Sequence, residues 1–400
     1  MKIIKLLIIT LFLLFPLGQL TQIPLNIPQV KIYLSDIFVG LLVISWVGEK
    51  IINKRKINLP PQSFLLSAFI FAATLSLLLS LPRWESRELI IAGLYLLRLV
   101  VYASLYFIFF DLTKRKIKFL NIEISKFLSF SLLLSGFFLA VFGLIQYIVF
   151  PDIRSLTQYH WDPHYFRVVS TFLDPTFTGL ILGLALILLI SQLLLKKWRP
   201  TKTLIIIGVI IYLALSLTYS RSSYFAYIIG VSLLCFFKGQ PKLFFSLFLV
   251  GILTILILPR PAGEGVRLER ESTILAKIEN YKNTLTIIKD NPLLGVGFNN
   301  YRFTQKEYGF LEEDWEFTHS GAGSDSSLLF TLATTGIFGF SIFILWLTKT
   351  LLFALKQKEN LLVATMLAIF VHSLFANSFF YPWVMFWLFL NLGVSLKESS

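Results

Sequence analysis

The chain has 400 residues, of which 56% are hydrophobic and 14% charged, with a mean hydropathy of +0.76 and a formal net charge of +14. This composition excludes a soluble multidomain protein, because too little polar surface remains to cover a globule. The single cysteine, Cys235, excludes an intrachain disulfide and any metal site built from several cysteines.

Apolar runs of about 20 residues, the length that spans a bilayer core, recur from one end of the chain to the other. The first run resembles a signal sequence, but no small-residue cleavage site follows it in LGQLTQIPL, so we interpret it as an uncleaved helix. The sequence predicts an all-α, polytopic integral membrane protein that forms a single membrane domain over residues 1–400. About twelve transmembrane helices are predicted, at residues 3–20, 33–52, 62–81, 90–110, 127–150, 176–195, 203–219, 224–237, 243–259, 327–350, 361–378 and 383–396.

Lysine is distributed unevenly between the loops that join these helices. If the N-terminus is cytoplasmic, every loop predicted inside contains lysine, and four short loops predicted outside, at residues 82–88, 151–175, 220–223 and 377–382, contain none. The positive-inside rule therefore predicts that both termini are cytoplasmic. The same rule explains the net positive charge without a nucleic-acid partner.

One loop, residues 260–324 between the ninth and tenth predicted helices, is long and polar. It is predicted to be a large extracytoplasmic loop. Apolar residues recur within it at the spacing of one helix face, which predicts an amphipathic helix that lies on the membrane or caps the bundle. The residues of this stripe are Ile274, Ile278, Tyr281, Leu285 and Ile288.

Two arginines in loops predicted outside have no obvious role in topology. Arg221, in the sequence SRSS, either anchors a helix end at the lipid headgroups or binds an anion. Arg167 precedes a helix that opens with Asp174 and Pro175, a good pair for its N-cap and first turn. Arginine binds phosphate well because its planar fork donates paired hydrogen bonds.

The segment YHWDPHYF places His160, Asp162 and His164 close together, a weak candidate for a metal site. An aromatic belt at the membrane interface is the simpler interpretation. Glu312 and Asp314 form a second weak candidate. No metal site is predicted.

Asp325 stands at the mouth of an apolar helix in the sequence HSGAGSDSSLLFTLATTGIFGF, six residues after His319. The carboxylate could cap the helix. It could also act as a general base, with a pKa set by burial and nearby arginine.

The order of these motifs carries a resemblance. An arginine loop before a helix is followed by SRSS, then IIKDNPLLGVGFNNY in the long loop, then SDSSLLFTLATTGIFGF. From about Arg167 to Phe340 this set resembles the family of O-antigen ligases and O-antigen polymerases, which are bacterial membrane glycan transferases. The resemblance implies a metal-independent glycosyltransferase of the C-type membrane class. Such enzymes move a glycan from undecaprenyl pyrophosphate to an acceptor on the outer face.

The resemblance also implies roles for particular residues. Arg167 and Arg221 match family arginines thought to hold the pyrophosphate, and Lys277 stands where the family often has another arginine. Many members have His-Asn in the place of Asp325 and Ser326, so Asp325 is expected to replace the histidine as catalytic base. The alternative is that His319 reaches in from the loop.

The expected function is therefore inverting glycan transfer at the outer face of the cytoplasmic (inner) membrane, without a cofactor. The expected partners are a lipid-linked oligosaccharide donor, a glycan or lipid acceptor and the membrane lipids. A transporter or flippase for lipid-linked glycans is the main alternative, and a non-catalytic scaffold is the second. A transporter usually needs polar groups at mid-membrane, whereas the charged residues here cluster at the predicted outer face, with Arg98 the main exception.

Overall fold

The computed structural model describes residues 1–25, 27–119, 121–196, 198–261, 263–311, 315–316, 321 and 323–396. This part of the chain is a bundle of α-helices. The helices are α1 (Lys2–Leu14), α2 (Leu34–Ile52), α3 (Ser63–Leu79), α4 (Ser86–Lys114), α5 (Ile124–Val149), α6 (Pro175–Leu194), α7 (Lys202–Ser216), α8 (Arg221–Phe237), α9 (Pro241–Ile257), α10 (Ser272–Asp290), α11 (Tyr301–Glu307), α12 (Ser327–Lys356), α13 (Asn360–Ser373) and α14 (Pro382–Ser395).

Short elements connect the helices. Two antiparallel ribbons pair β1 (Gln22–Ile23) with β2 (Ile32–Tyr33) and β3 (Lys118–Phe119) with β4 (Ile122–Glu123). Single 3₁₀ turns occupy Phe15–Thr21, Arg154–Tyr159, Ser170–Phe172, Glu264–Val266 and Ser378–Phe380.

A helix stands at each of the twelve predicted positions, which confirms an all-α membrane protein. Five helices in the described residues are long and apolar enough to cross a membrane: Lys2–Thr21, α4, α5, α6 and α12. Shorter apolar helices are α3, α7, α8, α9, α13 and α14. The number of crossings remains a prediction.

The α6 helix lies at the centre of the bundle. Its side chains are apolar on every side, and all of residues 180–189 are buried. A helix that is hydrophobic all round is stable only when other elements surround it, and α5, α7, α8 and α13 pack against α6. By contrast, no residue of α9 is buried, which is expected for an apolar helix on the lipid-facing side of a bundle.

The α12 helix is interrupted at Gly336, whose φ of 61° and ψ of −172° are not helical. A turn from the long loop, residues 292–296, fills the interruption. The Ile337 N–H donates to the Pro292 carbonyl at 2.9 Å. A Cβ at position 336 would lie 2.2 Å from the Leu293 carbonyl oxygen, so only glycine fits there.

Ser76 of α3 also contacts both sides of this interruption. The Ser76 hydroxyl lies 2.7 Å from the carbonyl oxygens of both Leu294 and Thr334, and the Val296 N–H donates to the Ala333 carbonyl at 3.0 Å. The two glycine-bearing motifs of the sequence thus meet in one structure. We call residues 292–296 and 333–338 the α12 joint.

The amphipathic helix predicted in the long loop is α10. It packs on α12 and buries Thr284 and Ile287. Of the predicted stripe, Ile274, Ile278 and Leu285 remain exposed. The helix therefore caps the bundle through a neighbouring, more polar face, together with Tyr281 and Ile288 of the stripe.

Charged side chains near the C-terminal ends of α2 and α4 form ion pairs. The Lys50 Nζ lies 2.6 Å from the fully buried carboxylate of Asp111, which also accepts hydrogen bonds from Trp46 and Arg115. Arg115 pairs in turn with Glu49 at 3.0 Å. We call this set the inner network, because its residues border the loops predicted inside.

Candidate active site

A cavity of about 350 Å³ lies where the long loop, the segment 151–175 and the turn between α13 and α14 meet the helix ends. Acidic and basic side chains face each other across it. Asp162, Asp174 and Asp325 line it together with Lys31, Arg98, Lys277 and Arg302. A concave site with a few convergent polar groups in an apolar frame is typical of a substrate site.

Asp325 is held in this cavity by α10. Its N–H donates to the side-chain oxygen of Asn280 at 2.8 Å, which also accepts a hydrogen bond from the Ser324 hydroxyl. One carboxylate oxygen lies 3.5 Å from the Lys277 Nζ. Lys277 is itself fixed, because its Nζ donates to the Phe375 carbonyl at 2.6 Å.

The structure separates the two roles considered for Asp325. The N-cap of α12 is Ser326, whose hydroxyl accepts a hydrogen bond from the Leu329 N–H. The Asp325 carboxylate takes no part in the cap and is 42% exposed in the cavity. Asp325 is therefore available to react, whereas the helix end is satisfied by its neighbour.

Asp174 does cap a helix, as the sequence predicts. Its carboxylate accepts hydrogen bonds from the Thr176 N–H at 2.6 Å and the Phe177 N–H at 3.0 Å. Burial raises the pKa of this carboxyl above its usual value, although the two amides oppose the shift. Asp162 caps no helix among the described residues, and desolvation together with the charges of Asp174 and Asp325 raises its pKa to about 6.

Arg167 and Arg221 lie around the turn between α7 and α8, with a third arginine, Arg270. Arg167 is 7% exposed, and its Nε donates to the Thr218 carbonyl at 2.9 Å. Arg167 and Arg270 both donate to the Tyr219 carbonyl. We call these three residues the arginine cluster.

Arg221 supports the start of the long loop. Its guanidinium donates to the carbonyls of Leu268 and Arg270, at 3.1 and 3.2 Å, and to the Thr273 hydroxyl at 2.7 Å. Arg221 thus joins the first turn of α8 to the first turn of α10. Carbonyls accept these hydrogen bonds without neutralising the charge.

Burial and the charges within the arginine cluster lower the pKa values of two of its members. Burial and the neighbouring Arg270 lower the pKa of Arg167 to about 9. Burial also lowers the pKa of Arg270, whose buried Nε has no hydrogen-bond partner in the described part of the chain. The charges of Arg167 and Lys277 both act on Asp174, which lines the cavity.

Residues 176–344 match the family model described as O-antigen ligase. Over these residues the chain is similar to the O-antigen ligase family. The match contains Arg221, Lys277 and Asp325 and confirms the resemblance seen in the sequence. No curated protein matches the chain.

This similarity indicates a membrane glycosyltransferase of the O-antigen ligase type, concerned with polysaccharide biosynthesis. The family implies a lipid-linked glycan donor and an acceptor. The matched residues hold both Asp325 and two members of the arginine cluster, Arg221 and Arg270. Arg167 precedes the match.

His160, Asp162 and His164 do not form a metal site in the described part of the chain. Among the described residues, no three His, Cys, Asp or Glu side chains are close enough to hold a metal ion. His164 has its pKa lowered to about 3 by burial and by Arg167 and Arg270. His319, Glu312 and Asp314 lie outside the described residues.

Sequence reasoning missed three residues of the site. Arg270 stands in a run of charges that offers no sign of its contact with Arg167. Lys31 and Arg302 are far apart in sequence, yet both line the cavity that holds Asp325. Their positions in segments predicted outside were the only available signal.

Proposed function

We propose that the chain transfers a glycan from an undecaprenyl-pyrophosphate-linked donor to an acceptor hydroxyl at the outer face of the cytoplasmic membrane. The transfer inverts the anomeric carbon and needs no metal or cofactor. Asp325 acts as general base, and Arg167, Arg221 and Lys277 bind the pyrophosphate. The observation that carries the proposal is the Asp325 carboxylate, which faces a polar cavity and is not used to cap α12.

In the proposed reaction, the carboxylate takes up a proton and the cations stabilise the leaving group. Asp325 accepts the proton of the acceptor hydroxyl as its oxygen attacks the anomeric carbon. The bond between that carbon and the pyrophosphate oxygen breaks, and the lipid pyrophosphate leaves with an additional negative charge. Fixed cations that do not reorganise during the reaction stabilise such a charge.

Backbone carbonyls keep the arginine cluster in place for this purpose. Arg167 uses Nε and Nη2 on the turn after α7, which leaves its Nη1 without a described protein partner. Lys277 lies next to Asp325, so it can contact the leaving group on the side of the reacting atoms. The pyrophosphate would then lie between Lys277 and the arginine cluster, beside Asp174.

The proposal includes a topology. The chain is a single membrane domain over residues 1–400, with about twelve crossings and both termini in the cytoplasm. Residues 260–324 form an extracytoplasmic loop, with the active site on that side. The α10 helix, which holds Asp325 through Asn280, closes the cavity from the loop side.

Replacing Asp325 with asparagine tests the proposed base. Asparagine keeps the size of the side chain and leaves the backbone contact to Asn280 in place, but it cannot accept a proton. Loss of a general base typically lowers a rate by about 10²–10⁴. We expect Asp325→Asn to insert and fold normally and to lose glycan transfer to this extent, in an assay with purified protein and a lipid-linked donor.

Ser326→Ala is the matched control, because it removes the cap that Asp325 does not supply. It should cost about 1 kcal/mol of stability and leave transfer largely intact. An active Asp325→Asn together with an inactive His319→Ala would assign the base to His319. Movement of the donor across the membrane without glycan transfer in the wild type would favour the flippase.

A further inference from the structure

Lys31 and Arg302 are two cations in the wall of the cavity, and neither pairs with an acidic side chain in the described part of the chain. Lys31 precedes α2, and Arg302 lies in α11. Neither the Lys31 Nζ nor the Arg302 guanidinium makes a hydrogen bond or ion pair with any residue that the structure describes. The nearby Arg98 differs, because it pairs with Asp36 at 2.7 Å and also donates to the Lys31 carbonyl.

Both cations are partly withdrawn from water, and the charge of Arg302 acts on Lys31. Burial and the charge of Arg302 lower the pKa of Lys31, and burial lowers the pKa of Arg302. Placing like charges together in a recess is unfavourable unless an anion joins them. An ammonium beside a guanidinium is well suited to a phosphate group.

A second cavity, of about 220 Å³, opens from the same wall between α2 and α4. Lys31, Tyr95 and Arg98 line both cavities. The remaining walls of the second cavity are largely apolar and include Ile37 and Leu97, which are 44% and 56% exposed. On apolar membrane helices, such exposed side chains face lipid, so this cavity is a groove open to the bilayer.

We infer that Lys31 and Arg302 bind the phosphate of a membrane lipid whose hydrocarbon tail lies in the groove between α2 and α4. The inference rests on the proposed function in one respect, because the donor pyrophosphate is assigned there to the arginine cluster and Lys277. The lipid at Lys31 and Arg302 is then the acceptor. The acceptor is a phosphorylated amphiphile that reaches Asp325 from the membrane.

The groove contains a position that allows a direct test of the tail. Gly40 of α2 lines it, and a Cβ at this position would meet nothing within 4 Å. Gly40→Trp would therefore fill the groove without a clash in the backbone. Gly48, on the same helix but not in the groove, also has open space around its Cβ, and Gly48→Trp is the matched control.

Dodecyl phosphate, inorganic phosphate and glucuronic acid are suitable probes. They represent a phosphate with a tail, a phosphate without one and a water-soluble acidic sugar. Binding to the full-length protein in a neutral maltoside detergent can be measured by native mass spectrometry. We expect dodecyl phosphate to bind at least tenfold more tightly than either water-soluble probe.

Removing the cations should weaken that binding at least tenfold in Lys31→Met and in Arg302→Gln, whereas Arg302→Lys should retain much of it. Lys289→Gln removes an exposed lysine of α10 and should have no effect. Gly40→Trp should weaken dodecyl phosphate alone. The size-exclusion profile of each variant shows whether it remains folded.

Equal binding of dodecyl phosphate to the wild type and to both cation variants would overturn the phosphate site. Equal affinity for dodecyl phosphate and inorganic phosphate, or no effect of Gly40→Trp, would overturn the lipid tail. These measurements require no glycan transfer. Failure here is therefore distinct from failure of the proposed reaction, which Asp325→Asn tests.

Discussion

The two ends of the bundle use their basic side chains differently. In the inner network, Lys50 and Arg115 are bonded to the buried carboxylate of Asp111. In the arginine cluster, Arg167 and Arg221 are bonded to backbone carbonyls instead. A carboxylate neutralises a cation, whereas a carbonyl positions it and leaves its charge for another anion.

The separation between the two ends can be followed along α2. Asp36, near its first turn, pairs with Arg98, and Lys50, near its last turn, pairs with Asp111. Residues 36 and 50 are about 21 Å apart along a helix. The inner network is therefore about 20 Å from the end where Asp36 neutralises Arg98, while Lys31 and Arg302 at that end have no acidic partner among the described residues.

The most decisive prediction concerns the side of the membrane on which each end lies. Glu269 in the long loop and Lys242 at the start of α9 are both exposed. In a Cys235→Ser background, we expect Glu269→Cys to react with an impermeant thiol reagent on intact cells and Lys242→Cys not to react. Similar reactivity at both positions would break the comparison, because the two ends would share a compartment.

A second prediction compares the stability of the two ends. Asp111→Ala would leave Lys50 and Arg115 without their shared carboxylate, and breaking such a buried pair typically costs about 3–5 kcal/mol. Arg302→Gln should leave stability unchanged or raise it, since no described partner is lost. Thermal unfolding can be followed with a thiol-reactive dye, because Cys235 is buried.

Asp111→Ala and Arg302→Gln can be compared directly because each substitution removes one charged group. Asp152→Ala, which breaks an exposed pair with Arg154, should not measurably change the unfolding temperature. If Arg302→Gln destabilised the protein as strongly as Asp111→Ala, Arg302 would be part of the scaffold and not a free cation.

A third and smaller effect is expected at Arg221. Lysine keeps the charge but cannot span the Leu268 and Arg270 carbonyls and the Thr273 hydroxyl together. We expect Arg221→Lys to lower glycan transfer and the affinity for inorganic pyrophosphate by roughly tenfold, equivalent to about 1.4 kcal/mol. Arg87→Lys, at an exposed arginine in the first turn of α4, is the control. Full activity of Arg221→Lys would show that the side chain is only a helix anchor.

Much of the helical architecture could be predicted from sequence, because the length of an apolar run and the position of a cap are local properties. Asp174 caps α6 as predicted, and α10 forms in the long loop. The packing face of α10 could not be predicted. Its buried positions, Thr284 and Ile287, depend on contacts with distant parts of the chain.

The site was less accessible to sequence reasoning for the same physical reason. The hydroxyl of Ser326 and the carboxylate of Asp325 are both suitable caps, and only the geometry shows that Ser326 is used. Asn280, which binds the Asp325 N–H, is 45 residues away. Lys31 and Arg302 meet only after α11 folds against the N-terminal segment.

The α12 joint has a consequence for the assembly of the protein. A helix interrupted within the membrane leaves peptide groups that lipid cannot hydrate, at a cost of several kcal/mol each. Here the turn 292–296 supplies partners for them, and Ser76 of α3 binds both sides. The segment that completes α12 therefore follows α9 in the chain and is translated before α12. In the proposed topology, the long loop is translocated and folds before α12 is synthesised, so the turn is in place when α12 inserts among its neighbours.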